Sequence, residues 1–388
     1  GAGVQFWQLY DQAWDRKRMV VGGTCSTVGH AGFTLAGGYG DYSRMYGSGA
    51  TNLVEAEVVL ADGRIVIASA CGPHADLFRA MRGGGGAFGL MTKATYKTYP
   101  MPIGKLGSAQ GKIRGLQDGL ARFLSWYAGV VRRGLSKHFG GQVVVGSWAG
   151  DAVALQLSYT GLTQHECSEL FAELSQVTCK ERERPWRPAN AEEQPNGAEG
   201  WQATWEKGDA FAYHIGSAMR YFELHHAEDP AFAPAVARIA ETSPKGLVLA
   251  LNYALGHGSE MALANASDTT VHPQVYTAIG ALKLEILQHE FVPTATTALE
   301  PAKATNFAAL RAQLEAVVPG AGSYYHEGDY LTEAFQADFW GSSYAELAAT
   351  KSRYDPRNVF TCHQCVGSEN SPASCGRRLG GDADPVLV

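Results

Sequence analysis

The chain has 388 residues, 45% of them hydrophobic and 18% charged, enough to bury a sizeable core and to form two domains. A net charge of −6 and an isoelectric point near 6.1 argue against nucleic acid or an anionic membrane as a partner. No apolar run reaches the ~20 residues of a membrane-spanning helix.

Val4 to Trp14 has helical spacing, with Phe6, Leu9, Tyr10 and Ala13 on one side. Arg18 to Val21 reads as a short strand entering a glycine-rich loop. Val54 to Leu60 alternates as a strand, and Asp62-Gly63 turns the chain into Arg64 to Ala68. Asp76 to Met81 reads as a helix broken by Gly83 to Gly86, and Leu90 to Tyr99 as a strand that ends before Pro100 and Pro102. Beyond it, Gly111 to Arg114 is a short strand, Leu116 to Val131 an amphipathic helix, and Gln142 to Trp148 with Val153 to Tyr159 a hairpin. His165 to Gln176, Val275 to Gln288 and Phe307 to Val318 read as helices, and Leu247 to Leu255 as a strand. Glu181 to Gly200, charged and rich in Pro, Asn and Gly, reads as a surface loop. An amphipathic helix over Tyr344 to Arg353 is stopped by Asp355-Pro356. Strand pairs interleaved with helices predict an α+β fold whose antiparallel sheet is covered on one face. The expected divisions are 1–100, 101–322 and 323–388.

The densest chemical signal is Gly22-Gly23-Thr24-Cys25-Ser26-Thr27-Val28-Gly29-His30-Ala31-Gly32, continuing through Gly37-Gly38-Tyr39-Gly40. Such glycines let backbone amides press against a flat or anionic ligand. A cysteine set into that surface is placed to touch the ligand; an inert buried thiol or a disulfide is its competing reading. The loop is followed by Val54 to Val66, by Asp76 to Gly89 with its run of four glycines, by Phe339-Trp340-Gly341-Ser342-Ser343-Tyr344, and by Lys351 to Phe360.

In this order and spacing, the stretches resemble the FAD-linked oxidases of the vanillyl-alcohol-oxidase superfamily, with its PCMH-type FAD-binding domain, and specifically the berberine-bridge-enzyme-like branch. The resemblance covers residues 1 to about 100 and about 320 to 370, and is weak between them. It implies FAD attached covalently through the sulfur of Cys25. It also implies backbone amides of Gly22, Gly23, Thr24, Gly29, Gly32, Gly37, Gly38 and Gly40 along the cofactor, with a hydroxyl from Thr27. Val28 falls where the family gates oxygen access, and valine there resembles the oxidases. Phe33 stands where many plant members have a histidine. Asn358 and Gln364 fall where the C-terminal segment contacts the flavin. Thr51 and Ala87 depart from the usual Asp and Asn. The family's Tyr-x-Asn-Tyr stretch reads Tyr324-Tyr325-His326-Glu327 here, so either Glu327 or Tyr324 is the candidate proton acceptor, with His326 orienting it. The histidyl attachment found in family members is absent from this chain, which leads us to expect a missing N-terminal segment or a separate chain that completes the FAD domain.

The implied activity is oxidation of a substrate alcohol, carbohydrate or aromatic, with O2 reoxidising the flavin to give peroxide. A dehydrogenase using another acceptor, or a degenerate relative with a binding role, are the alternatives. The seven cysteines suit an oxidising, secretory compartment, as does the sequon Asn265-Ala266-Ser267. Cys362-His363-Gln364-Cys365 lacks a second ligand pair, so we expect no metal there and instead disulfides to Cys375 or to a segment outside the chain. Trp201, Trp205, Tyr213, Tyr221 and Phe222 are either core or stacking platforms.

Overall fold

The structure, a computed structural model, describes residues 1–370 apart from 26, 147–148, 175, 183–212, 244–246, 251–258, 264–267 and 289–300. Most of the expected loop over 181–200, Trp201, Trp205, Cys375 and the Asn265 sequon lie outside the described residues.

Residues 1–100 supply β1 (Arg18–Met19), β2 (Leu53–Val59), β3 (Ile65–Ser69), β4 (Leu90–Tyr96) and β5 (Tyr99–Pro100). β2 is the centre of an antiparallel sheet, with Val58 opposite Val66 and Ala56 opposite Ala94. Alternation buries Ala56 and Val58, which pack with Leu77, Phe78, Met81 and Phe88. The same cluster takes in Phe339, Trp340, Leu347, Tyr354 and Val366, so the C-terminal segment returns to the first hundred residues. There Lys351, almost fully buried, donates to Ala87 O (2.7 Å), Phe360 O (2.6 Å) and Asp355 Oδ2 (2.6 Å).

A seven-stranded antiparallel sheet is built from β6 (Leu106–Arg114), β7 (Phe139–Val145), β8 (Ala152–Thr160), β9 (Val177–Glu181), β10 (Tyr213–Phe222), β11 (Leu247–Ala250) and β12 (Gly280–Gln288), in the order β10-β12-β11-β7-β8-β6-β9. One face lies under the helices Leu116–Arg132, Phe232–Thr242 and Pro301–Val317 and joins Phe123, Tyr127, Val143, Leu155, Leu282 and Leu310 in the largest core. Period-two alternation sends Gln142, Gln156 and Lys283 to the opposite face. Arg44 staples the two sheets' territories: fully buried, it donates to Ser136 O, Ser136 Oγ and Ile279 O.

The sheet corrects several expectations. Val275 to Gln288 is a 3-10 turn, Pro273–Tyr276, followed by strand β12; pairing on both sides, to β10 and β11, overrides the helix-favouring Ala, Leu, Lys and Glu. The strand expected at Gly111 is the end of the longer β6. A Cβ at Gly107 or Gly111 would collide with the Lys180 or Gln176 carbonyl, so a close β9 contact explains the glycines that made β6 read poorly. The helix expected over His165 to Gln176 stops at Leu170, with Cys167 joined to Cys179. Cys362 and Cys365 lie side by side, and the expected partner Cys375 lies outside the described residues. Tyr221 and Phe222 are core residues.

Candidate active site

The cysteine loop is fastened from both sides. Phe6 N donates to Val28 O (3.1 Å) and Val28 N to Cys25 O (3.2 Å), and the buried Tyr10 hydroxyl donates to Gly23 O (2.7 Å). Gly40 passes so close to this loop that a Cβ there would overlap the Gly22 carbonyl oxygen, a clash with backbone, where those at Gly22 and Gly38 are with the rings of Phe6 and Phe33. Phe33 lies buried beneath, edge-on to Phe6 at 4.8 Å and hard against Gly38. Residues 24, 25 and 27–29 are left exposed, Val28 at 39%. His30 is absorbed structurally, through Tyr96 (2.7 Å) and Gly1 O (2.9 Å).

Cys25, Val28, Gly23, Thr24 and Phe33 line a cavity of about 580 Å³, which is lined as well by Tyr324, His326 and Glu327. The three belong to or precede the 3-10 turn Tyr325–Glu327, which is tied to the seven-stranded sheet by a hydrogen bond from Ser217 Oγ to Glu327 O (2.8 Å). The Glu327 carboxylate accepts from Tyr39 (2.5 Å) and pairs with Lys283 (2.9 Å). Tyr324 meets Tyr39 edge to face at 5.2 Å. Burial, reinforced by Glu327 and Tyr221, pushes the Tyr324 phenol far up, whereas burial pushes the His326 imidazole down against a smaller opposing pull from Glu327. At neutral pH Tyr324 is therefore a hydrogen-bond donor and His326 is uncharged.

Asp41 also lines the cavity. It accepts from Thr24 Oγ1 (3.1 Å) on the cysteine loop and from Ser158 Oγ (2.6 Å) on β8. Burial raises its carboxyl and the two hydroxyls partly counter this.

Of the other residues singled out in the sequence, Thr27 and Gly29 lie on the exposed stretch of the loop, Gly22 packs under Phe6, Gly32 neighbours His326, and Gly37 turns with positive φ beside Val271. Asn358 and Gln364 are not on the cavity wall. Asn358 donates to Gly367 O (3.3 Å), and Gln364, in the left-handed region, donates to the carbonyls of Asp329, Tyr330 and Thr332. Sequence reasoning missed Tyr39, Asp41 and Lys283 as wall residues. Only Lys283 left a trace, the period-two pattern Leu282-Lys283-Leu284 inside a run read as helix.

Residues 1–69 match the FAD binding domain family and residues 306–367 the berberine and berberine-like family. Over 95% of the chain it is 29% identical to the FAD-linked oxidoreductase apf9 of Gibberella fujikuroi, and over 98% it is 28% identical to easE of Claviceps purpurea. It spans 65% of the length of apf9 and 79% of that of easE. In fold it matches the VAO-type flavoprotein MtVAO713 of Myceliophthora thermophila (TM-score 0.75, 22% identity, 95% of this chain and 66% of the other) and a chitooligosaccharide oxidase (0.74, 22%, 94% and 77%). The chain thus carries a match to the FAD binding domain family at its start and to the berberine and berberine-like family near its end, and it shares its fold with VAO-type flavoproteins.

Proposed function

We propose that this chain works in an FAD-dependent oxidase that removes hydride from a substrate hydroxyl. One observation carries the reading: the Cys25–Val28 loop and the Tyr324-His326-Glu327 turn, far apart in sequence, line a single cavity. About 580 Å³ falls within the roughly 300–1,000 Å³ of small-molecule sites, and an exposed apolar Val28 beside an exposed Cys25 suits the edge of a planar ring. FAD, when bound, supplies the hydride acceptor and passes the electrons to O2 as peroxide. Cys25 is its attachment point in this proposal; a glucooligosaccharide oxidase of Acremonium strictum with the same fold carries 6-S-cysteinyl, 8α-N1-histidyl FAD.

Glu327 takes the hydroxyl proton of the substrate, placed for that by Lys283 and Tyr39. Tyr324, whose raised pKa keeps its phenol protonated at neutral pH, donates to the substrate oxygen. Cys167–Cys179 supports an oxidising, secretory location.

The test is the mass of the tryptic peptide Met19–Arg44 from protein made in its own host, with peroxide release assayed on a panel of alcohols. A flavin-sized addition and substrate-dependent peroxide are the expected results. An unmodified Cys25 removes the covalent link, and dye reduction without peroxide makes the enzyme a dehydrogenase.

A further inference from the structure

The sheet side of the same cavity carries a feature that the proton chemistry leaves unused. β6, β8 and β7 are neighbours, and their register places Gln110 opposite Gln156 and Gln142 opposite Gln156. Three primary amides thus stand in one row, all of them lining the cavity. In β7 and β8 these glutamines are the only exposed residues, every other position being buried. At about 4.8 Å between strands the row is roughly 10 Å long. Gln142 Nε2 donates to Gln156 Oε1 (2.8 Å), which orients the two amides relative to each other.

The row is neutral and two-faced: each amide offers donors and an acceptor. Of the charges elsewhere on the cavity wall, Lys283 pairs with Glu327, Asp41 accepts from two hydroxyls, and Arg182 acts on Asp41 rather than on the row. An anionic ligand meets no cation in the row, and a cationic one meets no carboxylate there. A flat aromatic covering the row would strip three amides of water and return no hydrogen bonds, which costs affinity. Hydroxyl groups, which also both donate and accept, match the row at each position.

We propose that Gln110, Gln156 and Gln142 form a recognition platform for the part of the substrate beyond the reacting carbon, and that this part is a neutral sugar unit. The proposal rests on the alcohol-oxidase reading and selects a carbohydrate over an aromatic alcohol.

The test compares the flavin-loaded protein with Gln156→Leu and Gln142→Leu, using maltotriose, cellotriose and triacetylchitotriose as sugar probes and benzyl alcohol as the apolar one. Calorimetry gives binding without turnover, and peroxide release gives kcat and KM. At least one trisaccharide is expected to bind the parent protein. Its Kd and KM should rise about tenfold on loss of one amide, the scale of one or two net hydrogen bonds, with flavin absorbance, melting temperature and benzyl alcohol binding unmoved. Failure of all three trisaccharides to bind, or binding that ignores both substitutions, overturns the platform. If a leucine variant does not fold, Gln156→Thr keeps a strand-compatible polar side chain and is expected to weaken the sugar by a similar factor; unchanged sugar affinity there overturns the platform equally. Sugar binding that depends on the row without peroxide from any alcohol would sink the oxidase reading and keep the platform, and peroxide from benzyl alcohol alone would do the reverse.

Discussion

Replacing Lys351 by methionine tests how the C-terminal segment is locked onto the flavin-side sheet. The lysine stem is kept in length, so the loss is the ammonium and its three bonds, to Ala87 O, Phe360 O and Asp355. Its side chain is 5% exposed and that of Asp355 fully buried. Removing one partner of a buried pair costs about 3–5 kcal/mol, because the survivor is left charged without water. Asp355 retains two donors, the amides of Val359 and Phe360 at 2.8 Å, which places Lys351→Met near the lower end, about 3–4 kcal/mol. Burial works to raise the Asp355 carboxyl, but the hydrogen bonds from Lys351, Phe360 and Val359 outweigh it, and its pKa lies below the usual value. Asp355→Asn keeps an acceptor for the amides and removes the charge, so it strands the ammonium instead. The double variant should cost about 2 kcal/mol less than the sum of the singles. Urea midpoints, followed by tryptophan fluorescence and checked for a common slope, give these values. A loss under about 1 kcal/mol for Lys351→Met, or strict additivity in the cycle, would refute the reasoning.

Glu327→Gln should lower kcat by about 10²–10⁴-fold with KM within a few fold and flavin content intact; a kcat within tenfold of the parent assigns the proton to another group. Gly40→Ala forces a methyl onto the Gly22 carbonyl, so flavin absorbance per chain should fall while the melting of the seven-stranded sheet is little changed. Full flavin occupancy in that variant contradicts the close approach. His272 is pushed down from 6.5 to about 4, by burial first and then by Arg220, against a backbone hydrogen bond to Ala337. Its proton is taken up by the unfolded chain at higher pH than by the folded one. Stability is therefore full above about pH 6.5 and declines as pH falls toward 4, by up to about 3 kcal/mol from this residue. His272→Leu should flatten part of that slope in midpoints measured between pH 7 and 4.5; an unchanged slope rules His272 out as a contributor.

The cysteine loop and β2 were legible because glycine density and the alternation over Ala56–Val59 are local signals that tertiary context did not overturn. Lys283 was not, since Ala281-Leu282-Lys283-Leu284-Glu285 is rich in helix formers and becomes a strand only because β10 and β11 flank it. Asp41 sits in a short Tyr-Gly-Asp-Tyr turn with no periodic frame, and its meaning comes from Ser158, 117 positions away. The Gln364 amide donates to three carbonyls of a neighbouring loop, an arrangement that needs the fold to be visible. The glutamine row escaped notice because each glutamine is one polar residue in its own strand, and only register puts the three side by side.

The hydrogen bond from Tyr39 to Glu327 joins residues 288 positions apart, and this has a consequence for biogenesis. At roughly 5–20 residues per second on the ribosome, the turn that completes the cavity emerges about 15–60 s after the loop it must meet. Until then Phe78, Phe88 and Met81 wait without Phe339, Trp340 and Leu347 to cover them. The sheet of residues 106–288, whose strands have all emerged before the turn at Tyr325–Glu327, can form meanwhile. A nascent chain stalled before Phe339 would carry a finished sheet beside an open apolar face, a natural client for chaperones or proteases rather than a half-active enzyme.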